Sequence, residues 1–540
     1  MLFKNNIINL LVMGLFAVTS CEVDRLPETS ISDPSFWQNE GDLRSATNYL
    51  YTFLPGLPVY EDEWSDNAYG TTPNSISDGS RLTPASDNIY SRQYVLIRSA
   101  NNIFAKEDQL IESGVEPTVI AKYFSEAYFF RAWGYFELLK RYGGVQITTE
   151  ILSEKDEVLY SERASREEVL NLIYADLDKA AENLPLPSDN EGEDYGRITK
   201  TAAWAFKSRV ALFEGTRSKF HGYGDYQYHL NTAKEFSDKV IGSGEHGIYE
   251  DYYDLYQYVG EGPSNKENML VKQYGKDINQ LIVSHRVHRN LEDRVNPTKS
   301  LADSYLMTDG LPIDKSPSYV TPSNTLEVFA NRDPRMDYSF YKTGDTYSVL
   351  TPTFTLPVLN FQTTGFANRR YGNLTDYAAG DSFIDHILIR YAEVLLIYAE
   401  STYELDEQIS NEDLDKSINQ LRNRPSVGLP SLTNSFVSSN ELDMRNEIRR
   451  ERRVELALDG FRYWDLIRWK TAEIELPKPI IGNYFFDEFG DAFIPNLTED
   501  NYILLQSSEV RTFNPEKDYL WPLPTDQIAI NPNLEQNPNW

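Results

Sequence analysis

Cys21 is the only cysteine among 540 residues, and the residues before it decide its chemistry. Lys4 is followed by a stretch that is apolar from Ile7 to Val18, broken only by Asn9 and Gly14, and small Thr19 and Ser20 lead directly to the thiol. A cleaved secretory leader ends in this way, and so does a lipoprotein leader whose cysteine is acylated after cleavage. The apolar run is too short and too interrupted to cross a bilayer as a helix. With no second thiol an intramolecular disulfide is excluded, so the body of the protein must rely on packing alone. The expectation is an exported protein tethered to a membrane by lipid at Cys21, with more than one acyl chain, because a single chain holds weakly.

Other groups carry no comparable signal. Of six histidines, His285 and His288 stand three apart, but no further local ligand completes a zinc cluster. Zincin, nucleophile-elbow, P-loop and dinucleotide-binding patterns are all missing from the chain. The 82 acidic residues supply carboxylate pairs at will, so none singles itself out for glycosidase chemistry, which needs a defined separation across a sugar. Hard oxygen ligands are plentiful enough for a structural calcium ion, yet no EF-hand-type loop marks a site, and no cofactor is expected. Segment 441–455 carries five acids and five arginines, which points to i,i+4 pairing within a helix. Beyond it, Arg462, Asp465 and Arg468 among large apolar residues suggest partly buried arginine–carboxylate contacts.

The elements that must position any site are mainly helical. A net charge of -31 argues against a nucleic-acid partner, because nothing would offset phosphate repulsion. Helical periodicity appears over about 40–53, 91–110, 118–140, 165–185, 199–214 and 229–241, and again over 383–406, 411–424 and 440–459. Ser165 with Glu168 three residues on is a capping-box signal, and Gly143-Gly144 closes the helix that precedes it. Amphipathic helix pairs with short links suggest a helical-repeat array. Residues 54–90 read as a long loop, and about 245–380 as irregular, with small strands and short helices.

Segment 451–469, ERRVELALDGFRYWDLIRW, resembles the signature of the SusD/RagB family of outer-membrane glycan-binding lipoproteins. The likeness continues in chain order through YVLIRSANNIF (94–104), SEAYFFRAWGYFELLKRYGGV (125–145) and SREEVLNLIYADLDKAAENLP (165–185). It goes on through SLADSYLMTDG (300–310), NRDPRM (331–336), LIRYAEVLLIYAES (388–401) and YLWPLPTDQIAINPNLEQNPNW (519–540). The resemblance implies a mostly α protein, a tetratricopeptide-like helix-pair scaffold with an irregular, loop-rich subregion. The expected organisation is a lipoprotein signal peptide over 1–20, a lipidated tether over 21–40 and one domain over 41–540. Within that domain, 41–245 and 383–460 are the helical scaffold, and 246–382 and 461–540 are the irregular subregion and C-terminal segment.

The resemblance further implies a non-catalytic protein at the cell surface, anchored through Cys21 in the outer membrane. It would bind oligosaccharide or polysaccharide and deliver it to a TonB-dependent outer-membrane transporter of the SusC type. Acidic Glu22 and Asp24 resemble a surface-export signal of such bacteria. In the family the ligand lies on the irregular face. The matching early loop here holds Tyr60, Trp64, Asp66, Asn67, Tyr69 and Arg81, and the middle segment adds Tyr274, Arg286 and Tyr319. Trp64 leads, because its neighbours are acidic and no apolar helical stripe absorbs it. A solvent-facing arc containing Trp64 would favour sugar. The alternatives are capture of peptide or another non-sugar nutrient, a mainly structural transporter lid, or a secreted glycoside hydrolase.

Overall fold

The computed structural model describes residues 36–57, 61–190, 192–275, 295–348 and 351–540. The expected lipidation at Cys21 and ligand contacts at Tyr60 and Arg286 lie outside the described residues.

The scaffold is built from successive helices: α1 (Glu40–Tyr51), α2 (Asn88–Phe104), α3 (Pro117–Tyr142), α4 (Arg166–Asn183), α5 (Lys200–His221), α6 (Tyr226–Gly242), α7 (Tyr391–Asp406), α8 (Met444–Glu455) and α9 (Arg462–Arg468). Shorter helical turns connect them. In α4, Ser165 and Glu168 make the expected reciprocal capping box. Helix α3 begins on Pro117, whose missing N–H costs nothing there, and ends at Gly143 with φ 77°. Its centre is enclosed on all sides, with Phe129, Phe130 and Tyr135 fully buried. It packs on α2 and α4, while α5 packs on α6, and α6 on α7. Gly215 in α5 permits the α5–α6 approach, since a Cβ there would stand 2.8 Å from Leu230.

Long polar side chains tie these pairs together from within. Arg131 of α3 makes a bidentate contact with Asp176 of α4, both bonds at 2.8 Å. Helix α8 pairs Glu447 with Arg450 within itself, at 3.3 Å. Glu451 and Glu455 instead point inward to Arg335, Arg390, Arg422 and Arg424, which come from four other chain positions. Glu267 and Asp333 join the cluster, and Asp459 stands 3.5 Å from Arg390 and 4.0 Å from Arg370, so five arginines face five carboxylates inside the protein. Such a set is tolerated only when every member is paired. Beyond it, Arg452 and Arg468 share Asp465, and Arg468 also holds Glu400.

The irregular subregion carries two-stranded antiparallel ribbons in place of a large sheet. Strand β1 (Ala68–Tyr69) pairs with β3 (Asn296–Pro297), β2 (Asn268–Lys272) with β4 (His386–Arg390), and β5 (Ile480–Tyr484) with β6 (Tyr502–Gln506). Strand β4 occupies the start of the stretch expected to be helical from 383; α7 begins only at Tyr391. The end of the chain returns to its beginning. The Trp521 N–H donates to the Arg141 carbonyl at 2.7 Å, and Asn537 Nδ2 donates to the Tyr142 carbonyl at 3.1 Å.

Candidate functional site

The early loop does not form the expected solvent-facing arc. Trp64 is 7% exposed and meets Tyr463, Trp464 and Trp521 edge to face, with centroid separations of 5.9, 6.3 and 5.3 Å. Its acidic neighbours are buried too. Burial pushes the Asp66 carboxyl up, but Arg453 and Arg462, at 3.0 and 2.8 Å, overcome this and hold it well below the usual carboxylate range. Asn67 donates to Asp62 Oδ1 at 3.0 Å and accepts from Arg453 Nε at 2.9 Å. Tyr69 is buried in the β1–β3 pairing. Arg81 lays its guanidinium 3.6 Å over the Trp521 ring, and burial pushes its pKa down. Trp64, Asp66, Asn67 and Arg81 join the loop to the helical and C-terminal segments, and Tyr69 joins it to β3.

Tyr274 follows β2 and is half-buried, its N–H donating to Asp385 Oδ1 at 2.8 Å. Tyr319, at 37% exposed, is placed differently. It lines a cleft of about 370 Å³ in the irregular subregion, shared with Lys299, Phe366, Asn483, Tyr484, Phe486 and Tyr502.

Three chain parts, with Phe366 from a fourth, build this cleft. A short helix, Lys299–Ser304, is capped by the Thr298 hydroxyl, and it carries Lys299 and Asp303 one turn apart as an ion pair. The β5–β6 ribbon supplies Tyr484 and Tyr502, whose rings meet at 5.5 Å and 89°. The Lys299 ammonium stands 5.0 Å over the Tyr502 ring, so the floor joins an aromatic face to a fixed charge. The third segment holds Tyr319, and the Thr325 N–H donates to Glu488 Oε1 at 2.6 Å, pinning this loop to the ribbon. Arg332 closes the inner end, donating to the Ala302 and Tyr305 carbonyls.

Flat apolar faces beside fixed donors and acceptors are what a pyranose or furanose ring needs. The volume falls within the range of small-molecule sites. Among the described residues no group of three or more His, Cys, Asp or Glu side chains is placed to hold a metal ion. Nor is any described helix long and apolar enough to cross a membrane. Sequence reading missed Tyr484 and Tyr502, which end and begin two short strands separated by a long connection and carry no local signal of pairing.

A helix-pair scaffold bearing an irregular, loop- and strand-rich subregion is the architecture of SusD-like proteins. Residues 257–540 match the model of the SusD family, and residues 60–212 match a model described as starch-binding associating with outer membrane. The chain belongs to the SusD family. It is 27% identical to SusD-like protein P38 of Formosa agariphila, with 99% of each chain covered. A SusD-like protein of Bacteroides ovatus is 24% identical over 97% of this chain and 96% of its own. Among solved structures, a SusD-like carbohydrate binding protein from Bacteroides fragilis superposes with TM-score 0.77 at 24% identity, covering 93% of this chain and all (100%) of that one. A second SusD-like protein from the same species gives 0.74 at 25% identity, covering 96% and 100%.

Proposed function

We propose that this protein captures oligosaccharide at a bacterial cell surface and passes it, uncleaved, to a TonB-dependent outer-membrane transporter. The observation that carries the reading is the Tyr484–Tyr502 corner with Lys299 above it, open beside Tyr319 in a cleft large enough for a short glycan. Tyrosine rings take the apolar ring faces, while Lys299 and Asp303 address hydroxyls at the rim. Family membership supports pairing with a SusC-like transporter and a place in the outer membrane, with Cys21 as the lipid attachment point. Binding needs no resident cofactor in this account.

Calorimetric titration of the purified protein against a panel of neutral and acidic oligosaccharides tests the reading. Saturable binding to one glycan class, weakened at least tenfold in Tyr484→Ala and Tyr502→Ala, is the expected result. Binding to no glycan, or binding indifferent to both substitutions, overturns it. For the anchor, Cys21→Ser is expected to abolish fatty-acid labelling and release the protein from the membrane fraction.

A further inference from the structure

A second cavity of about 320 Å³ lies inside the helical scaffold, away from the tyrosine cleft. Its mouth is formed by exposed Pro55, Gly56, Asn88 and Arg92. Helices α2 and α3 build one wall. They approach closely because residue 134 is glycine: a Cβ there would stand 3.1 Å from Ile97 and 3.5 Å from the Gln93 carbonyl. Gln93 of α2 lines the cavity beside Trp133 and Phe136 of α3, and Phe213 and Trp464 complete the apolar surface.

The charges around the cavity are matched. Glu137 holds Lys140 at 2.6 Å and Arg141 at 2.5 Å, Glu393 holds Arg209 at 2.5 Å, and Asp465 holds Arg452 and Arg468, both at 2.9 Å. Glu61 and Asp459 bring two more carboxylates to the wall. Any ion entering would meet like charge beside opposite charge, so the wall selects no ion.

What the wall lacks is hydrogen-bond partners. Gln93 is only 7% exposed, and its Oε1 accepts no hydrogen bond among the described residues. Arg141 Nε and Arg452 Nη1, also buried, donate none. A buried polar atom without a partner is costly, and a ligand that supplies one removes that cost. The lining residues call for a donor and an acceptor together. A hydroxyl group is both, whereas an apolar ligand is neither. The Gln93 carboxamide can turn its oxygen or its nitrogen toward such a group.

We propose that this cavity is a second ligand site, for a single neutral sugar ring whose hydroxyls pair with Gln93, Arg141 and Arg452 and whose apolar faces lie against Trp133, Phe136 and Trp464. The volume is at the lower end of small-molecule sites, which fits one ring. The inference stands on the wall's own groups and not on the glycan reading of the tyrosine cleft.

Calorimetry and tryptophan fluorescence on the purified protein test this with D-glucose, D-galactose and D-mannose. Sodium D-glucuronate and toluene serve as the charged and the apolar control. At least one neutral sugar is expected to bind saturably, at least tenfold more tightly than either control. Gln93→Leu keeps an apolar side chain of similar bulk and removes the carboxamide, so it should weaken that binding at least tenfold. Because it also removes an unpaired buried amide, its urea midpoint should equal or exceed that of the wild type, which a merely structural role for Gln93 would not allow. Tyr502→Ala should leave binding of the single sugar unchanged. A lowered urea midpoint in Gln93→Leu, no binding of the three sugars, or toluene or glucuronate bound as tightly overturns the inference. So does sugar binding that survives Gln93→Leu or is lost in Tyr502→Ala. Oligosaccharide binding that depends on Tyr502, beside a silent cavity, overturns only this second site. Single-sugar binding lost in Gln93→Leu, with no oligosaccharide bound at the cleft, overturns only the surface-capture reading.

Discussion

Arg335 donates from Nη1 to Glu451 Oε1 at 2.6 Å, with both side chains about 1% exposed, which joins the irregular subregion to α8 through a fully enclosed ion pair. The pair belongs to the balanced set of five arginines and five carboxylates. Its value lies less in attraction than in what its loss would leave behind. Glu451→Gln should strand Arg335 and Arg422 with incomplete compensation and destabilise the protein by about 3–5 kcal/mol. Urea unfolding followed by circular dichroism measures this, and a change under about 1 kcal/mol would show the cluster to be far more plastic than its geometry indicates.

Trp64→Ala tests the placement of the early loop. Removing an indole packed among Tyr463, Trp464 and Trp521 should cost about 3–5 kcal/mol in stability. The folded fraction should still bind oligosaccharide within about twofold of wild type, because the cleft does not include Trp64. Lost binding in a variant of unchanged stability would restore Trp64 to a ligand role.

Asp62 gives a pH signature. Burial raises its pKa from 3.8 to about 7, with Asn67 and the Gly460 N–H opposing the shift. A carboxyl raised in the folded state favours folding while protonated, so its contribution is complete below 3.8 and is lost as pH rises through 7. At about 1.4 kcal/mol per pH unit, the full change is on the order of 4 kcal/mol. Urea midpoints taken from pH 5 to 8 should fall with pH, and the slope should be shallower in Asp62→Asn. Glu261 and Asp385, both raised to about 7 chiefly by burial, should leave a residual slope of the same sign.

Glu488→Ala removes the acceptor for the Thr325 N–H and frees the loop that carries Tyr319. Stability should change by less than about 0.5 kcal/mol, since Glu488 is exposed. Oligosaccharide affinity should fall several-fold, because ordering the loop is then charged to binding. Titration and urea unfolding of the same variant separate the two effects.

The scaffold is legible in the chain because its signals are local. Ser165 and Glu168 cap α4 within one turn, Gly143 stops α3, and apolar residues recur at helical spacing between them. The cleft is not local. Lys299, Tyr319, Phe366, Tyr484 and Tyr502 come together only through tertiary contacts, and each looks ordinary in its own segment. Trp64 misleads for a related reason. Its acidic neighbours suggest a solvated loop, but Asp66 is neutralised by Arg453 and Arg462, nearly four hundred residues away in the chain. The stretch from 383 shows the opposite limit, where an apolar pattern fits strand and helix alike and pairing with β2 decides for a strand through Arg390.

The return of the last residues to the first loop orders events in folding. Trp521 covers Trp64 and lies under Arg81, so the loop after α1 acquires the last of these packing partners only once residue 521 is in place. Contacts of such sequence separation form late and slowly. A chain interrupted before this final stretch would leave Arg81 and one side of Trp64 uncovered, presenting proteases with a segment that the folded protein conceals.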